Sequence, residues 1–230
     1  MPALSILDKW KETWNSPFKK RRMIIGTIIL VIVVFVLPIF FGYIEKRNGV
    51  LLNDWLLSRI PARNVSGLIF AIIWGLVVFI FIRALFNPSI YITYSWTLIF
   101  VVIARFICIT LVPLDPPTGF IPLTDPLTSV FYGHVVVTKD LFFSGHTAIL
   151  TLIVLCFEKK TDKLIAFTGL ITVAFLLMVQ HIHYTIDIMA APVIVYAIYR
   201  LTQYFLNKGN ARQQSQPQNE VLAEVYSVSK

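Results

Sequence analysis

Six apolar runs, each close to the length of a bilayer-crossing helix, take up most of this 230-residue chain. A hydrocarbon core about 30 Å thick needs roughly 17 to 25 mostly apolar residues per helix. The runs 23–43, 67–86, 90–112, 141–157, 164–180 and 184–206 qualify, the fourth and fifth near the lower limit. Inside a bilayer the backbone must satisfy its own polar groups, so such runs are read as helices. The expected fold is all-α: a six-transmembrane-helix bundle with a short interfacial N-terminal helix. Pro38 and Pro192 fall inside the first and sixth runs, where they are expected to kink the helix.

Composition agrees with a membrane class. Hydrophobic residues make up 57% of the chain and charged ones 14%, against about a quarter charged in soluble domains. Mean hydropathy is +0.76. The first run follows Lys19-Lys20-Arg21-Arg22, is too long for a signal-peptide core and lacks a small-residue cleavage site. It is read as a retained anchor. The organisation expected is an interfacial segment over 1–22, a helical domain over 23–206, and a polar, disordered tail over 207–230. Cys108 and Cys156 lie inside predicted spans and read as small apolar fillers, not a disulfide or a metal site.

The net charge of +8 is distributed just outside the apolar runs, not as a basic stripe interleaved with aromatics. That pattern excludes nucleic-acid binding and fits bilayer headgroups. With six spans, fourteen Lys and Arg residues fall on the side of the N terminus and five on the other. The positive-inside bias then makes both termini cytoplasmic. A small chain without accessory domains points to a bacterial inner membrane rather than a Golgi or plasma membrane.

Two stretches outside the spans have apolar residues at helical spacing: Leu4, Leu7, Trp10 and Trp14, and then Leu51, Leu52, Trp55, Leu56 and Ile60. Both suit helices lying on an interface. The loop 113–140 holds five prolines, which forbid a continuous helix and favour a stiff cap over the outer face. His134, within it, has no visible partner.

Ionisable residues in the most hydrophobic half of the chain are costly, and they mark the candidate reaction centre. Ser144-Gly145-His146 opens the fourth run. A helix start offers unpaired N–H groups and the positive end of its dipole, a seat for phosphate. Ser144 can cap that helix, and Gly145 lets a ligand approach the backbone. His183 and Asp187 open the sixth run, four apart, so that on a helix both share one face. A carboxylate on one imidazole nitrogen fixes the tautomer and makes the other nitrogen a stronger base or nucleophile. His181, two residues away, points elsewhere on such a helix.

The alternatives are an ion pair that locks helices together, or a metal site built from His146, His181, His183 and Asp187. The ligand types suit zinc, but the stretch lacks a second carboxylate, and no metal or cofactor is expected. Arg105 is the one basic residue deep within a run. It reads either as a partner for Asp187 or Asp140, or as a fork on phosphate oxygens. Lys139 and Asp140 stand within reach of a headgroup.

The segments 140–147 and 181–187 together resemble the sphingomyelin synthase family, within the wider lipid phosphate phosphatase (type 2 phosphatidic acid phosphatase, or PAP2) superfamily. The resemblance rests on Ser144-Gly145-His146-Thr147 and His183-Tyr184-Thr185-Ile186-Asp187, in that order and 37 residues apart, each opening a span. With the order of six helices it extends over residues 23–206.

The resemblance implies a triad in which His183 attacks phosphorus and Asp187 orients it. His146 protonates the leaving oxygen and later deprotonates an acceptor alcohol. Arg105, Asp140, Ser144 and Gly145 are the expected substrate-binding residues, with a phospholipid donor and ceramide or diacylglycerol as acceptor. The hydrolytic branch carries an arginine where this chain has Leu177, and an Arg-Pro pair that is missing here. Ile182 stands where animal synthases carry an acidic residue. A lipid phosphatase or phospholipase C with the same triad is the rival of like chemistry. A transporter or scaffold is the rival of another class, disfavoured by uniform spans without a discontinuous helix pair.

Overall fold

Helix-capping residues set most of the element boundaries. In the computed structural model, which describes residues 5–123 and 137–228 with side chains placed as far as Gly209, helix α1 (Ile6–Asn15) begins on a capping box formed by Ser5 and Asp8. A helix is thus present where the first amphipathic spacing falls, and Trp10 Nε1 donates to the carbonyl of Leu85 at 2.7 Å. Ser16 caps α2 (Pro17–Ile44) and Asn87 caps α4 (Pro88–Leu111), each with proline at the first helical position. Between them lies α3 (Ser66–Phe86). Then come α5 (Gly145–Cys156), α6 (Lys160–Val179) and α7 (Thr185–Val228). Helices α2 and α7 continue through Pro38 and Pro192. Helix α7 also runs on through the stretch read as a disordered tail. Among the described residues there is no strand, only an isolated bridge between Val50 and Leu114.

Among the described residues, five helices are long and apolar enough to cross a membrane: α2, α3, α4, α6 and α7 over Thr185–Gly209. The expected fourth span, 141–157, is not among them, since α5 holds only 12 residues. At 1.5 Å per residue it rises about 18 Å, well short of a bilayer core. Residues 141–143 are apolar but not helical, because the Ser144 amide is held by the carbonyl of Asp187 at 3.2 Å and the helix starts behind it.

The short α5 is the centre of the molecule, enclosed by α3, α4, α6 and α7. Its Ala148, Leu150, Leu152 and Ile153 are fully buried. Helix α2 lies outside, against α4 and α1, and turns Phe35 and Ile39 outward, each more than 70% exposed. An apolar face of that kind suits acyl chains and not water. At the end of the bundle near the N terminus, Arg83 forks onto Asp162, with Nε 2.7 Å from one carboxylate oxygen and Nη2 donating at 2.8 Å to the other.

The opposite end is closed by loops. Arg47 donates to the carbonyls of Ile109 and Thr110, at 2.9 and 3.1 Å, and so caps α4. Gly49 passes so near the backbone of Leu114 that a Cβ there would lie 2.4 Å from its carbonyl carbon. The chain after α4 is irregular as far as it is described, in keeping with its prolines. Pro126 and His134 lie outside the described residues.

The second amphipathic stretch is not the helix its spacing predicts. Only a 3-10 turn forms, at Leu57–Arg59. Asp54 caps that single turn through the amides of Leu56 and Leu57, and Pro61 prevents its extension. The Asp54 carboxylate also accepts the Thr185 amide at 2.6 Å and its hydroxyl at 3.0 Å, which ties the loop to the start of α7. Burial alone raises this carboxyl, but the Leu57, Thr185 and Leu56 donors together hold it below its ordinary value.

A carboxyl depressed in the fold stabilises fully above the unfolded value, about 4, and that stabilisation fades as pH falls below it. Asp54→Ala is expected to cost about 1–3 kcal/mol. Thermal unfolding in neutral detergent checks this, and the difference from wild type should shrink on acidification below about pH 4.

Candidate active site

The two histidine motifs meet because a backbone hydrogen bond joins them. Ser144 is the N-cap of α5 and its amide donates to the carbonyl of Asp187. Its own hydroxyl oxygen accepts from the amide and hydroxyl of Thr147, at 3.4 and 3.1 Å. His146, in the first turn behind that cap, lies with its ring centroid 6.1 Å from that of His183. Phe70 of α3 borders the same ring at 6.4 Å.

His183 and Asp187 approach each other by a route the sequence spacing does not describe. Helix α7 begins only at Thr185, so His183 stands in the turn before it. Asp187 is in the first turn of α7 and folds back, accepting the Tyr184 amide on Oδ2 at 3.0 Å. The same oxygen lies 3.5 Å from His183 Nδ1. That distance is longer than a formed hydrogen bond, though catalytic contacts of this kind commonly tighten when substrate binds. With Nδ1 directed at the carboxylate, Nε2 is the nitrogen left for chemistry. Asp187 is fully buried and the His183 side chain is 2% exposed. His146 is half-buried, so the centre is approached from its side.

Arg105 arrives from α4 and settles one alternative: its partner is Asp140, at 2.5 Å, and not Asp187. Its Nε donates to the carbonyl of Phe143 at 3.1 Å. The guanidinium lies flat over Gly145, where an added Cβ would sit 2.6 Å from Nη1. Only glycine permits that contact. Gly145→Ala is expected to push the guanidinium aside, at a cost of about 1–3 kcal/mol in stability and with a loss of turnover. Unfolding midpoints and steady-state rates measured on the same preparation check it.

Asp140 is itself held in place. The Glu45 carboxylate accepts the amides of Thr138 and Lys139, at 2.6 and 2.7 Å. Lys139 Nζ lies 3.0 Å from Asp115 and also donates to the carbonyl of Arg47.

His181 points away, as expected, and belongs to the scaffold. With φ at +55° it turns its ring between the carbonyls of Thr118 and Ile60, at 2.7 and 2.8 Å. The neighbouring Gln180 is fully buried and donates to Ser66, Ile121 and Pro122. Among the described residues no three His, Cys, Asp or Glu side chains converge on a metal position.

Three polar groups that support the centre are absent from the sequence reading of it, Asp54, Glu45 and Gln180, and Tyr184 enters it without a role, though its hydroxyl donates to the carbonyl of Asp115 at 2.9 Å. Each acts over a long sequence separation. The one local signal is a polar residue at the end of an apolar run, as at Gln180.

The arrangement offers two imidazoles a few ångströms apart, one backed by a buried carboxylate, with a guanidinium and a helix start alongside. This is acid–base and nucleophilic equipment disposed around an anion seat. No curated protein matches this chain. Residues 137–204 match the family described as PAP2 superfamily C-terminal, a stretch that holds Asp140, Ser144, Gly145, His146, His183 and Asp187 but not Arg105. The second half of the chain is therefore similar to the PAP2 superfamily, over the part that carries both histidine motifs.

Proposed function

We propose that the protein is an integral membrane phosphotransferase that moves a phospho-headgroup, of the phosphocholine or phosphoethanolamine type, from a phospholipid to a lipid alcohol such as ceramide or diacylglycerol. The observation that carries this reading is the 6.1 Å approach of His146 to a carboxylate-backed His183 inside an apolar bundle. The lipid-facing exterior supplies both donor and acceptor sideways, and the superfamily match supports phosphoryl chemistry.

In the first half-reaction His183 Nε2 attacks phosphorus, the bond from phosphorus to the diacylglycerol oxygen breaks, and His146 gives that oxygen its proton. The phosphorus is then held on nitrogen. In the second half, His146 takes the proton of the acceptor hydroxyl, the alkoxide attacks phosphorus, and the P–N bond breaks. Arg105, fixed by Asp140, and the amides at the start of α5 neutralise the equatorial oxygens. Both termini are cytoplasmic in this reading, and the reaction centre faces the opposite side of the membrane.

Purified protein supplied with labelled phospholipid, with and without ceramide or diacylglycerol, tests the proposal. Headgroup appearing on the added alcohol supports it. Headgroup released to water at a rate that never depends on the alcohol defeats the transferase and leaves a hydrolase.

A further inference from the structure

A cavity lies at the other end of the bundle from the imidazoles, and the reaction above makes no use of it. Its volume is about 540 Å³, within the range of small-molecule sites. It opens where the starts of α2, α4 and α6 meet the C-terminal end of α5 and the body of α7. Its walls carry three cations, Lys19, Arg22 and Lys163, and one carboxylate, Glu158.

Arg22 is held in place, donating to the Leu206 carbonyl at 3.0 Å and lying 3.8 Å over the Phe18 ring. Lys19 contacts Glu12 at 2.8 Å, and Glu158 accepts from Asn87 at 2.9 Å. Thr93 and Gln203 add polar groups, and the buried Ile90 and Phe157 add apolar ones. The cavity therefore combines cationic and apolar walls.

Its depth in the membrane is marked independently. Helix α1 lies across this end of the bundle with Trp10 hydrogen-bonded to the end of α3 and Trp14 under Lys20. Tryptophan and lysine together in this way occupy the headgroup layer. Ile24, Ile28 and Leu201, on the nearby faces of α2 and α7, are exposed and offer a surface for acyl chains.

We infer that this cavity is a second lipid site, one that takes the phosphate-bearing, net-anionic head of a two-chain lipid in the leaflet on the N-terminal side. The inference does not depend on the reaction proposed above. The site stands at the far end of α5 from His146, about 15 Å away along that helix.

The test uses the full chain in neutral detergent and reads thermal unfolding while short-chain phosphatidic acid, chain-matched phosphatidylcholine, or inorganic phosphate is titrated in. Phosphatidic acid is expected to stabilise at lower concentration than phosphatidylcholine. Lys163→Glu and Lys19→Gln should each weaken that preference by about fivefold, the usual worth of one cation near an anionic surface. Lys163→Arg should keep it, as should Lys160→Glu, whose charge lies outside the cavity.

Stabilisation by inorganic phosphate that the same variants remove assigns the recognition to the phosphate alone. Its failure, with the lipid preference intact, assigns the whole lipid. Equal response to both lipids, or a preference that survives Lys163→Glu and Lys19→Gln, overturns the site.

Discussion

Replacing His183 by alanine is expected to lower headgroup transfer by on the order of 10⁴-fold or more, as loss of other enzymatic nucleophiles does. The size of the effect follows from the geometry. Nδ1 faces the Asp187 carboxylate at 3.5 Å, so in the proposed reaction the carboxylate stabilises the positive ring that forms as Nε2 bonds to phosphorus. Among the described residues His181, the nearest imidazole in sequence, does not take that place, because it is committed to two carbonyls.

Labelled donor given without acceptor should leave label on the wild-type protein, recoverable after an alkaline quench, and none on the variant. A variant that transfers at the wild-type rate would remove His183 from the mechanism. Asp187→Asn separates two duties of the carboxylate. An asparagine oxygen still accepts the Tyr184 amide that Asp187 now holds, so the turn survives while the charge behind the ring is lost.

His146→Ala is expected to show a loss that depends on the donor. With a natural phospholipid the departing alkoxide needs a proton, and losing a positioned general acid costs about 10²- to 10⁴-fold. With a donor whose leaving group is an acidic phenol, the first half-reaction needs no proton and the loss should nearly vanish. Transfer onto the lipid alcohol should stay slow, because the acceptor still needs a base. An equal loss with both donors would show that His146 serves binding or folding and not proton transfer.

Hydropathy starts the first and third runs at residues 23 and 90, while a cap followed by proline starts the helices earlier. Asn87-Pro88 and Ser16-Pro17 start α4 and α2 in this way. Hydropathy misleads at 141–157, since an extended apolar stretch and an apolar helix have the same composition. The useful mark there was Ser144, which caps the helix and so excludes the residues before it.

The spacing of His183 and Asp187 pointed to a contact that the structure also makes, but through a capping turn and not along a helix. For Arg105 the sequence left two acidic partners open, and the fold chose Asp140 because α4 ends beside the approach to α5. Asp54, Glu45 and Gln180 act across more than 90 residues each. No local pattern encodes such pairings.

The brevity of α5 has a chemical consequence. Glu158 and Lys159 beyond its C-terminal end are exposed, which puts that end near a membrane surface. A rise of about 18 Å then leaves its other end roughly 10 Å beneath the opposite surface. Any phosphate seated there has sunk below its neighbours in the leaflet, to a level where free solvent is scarce. In the proposed reaction, preference for a lipid alcohol over water then rests in part on a length, the twelve residues of Gly145–Cys156.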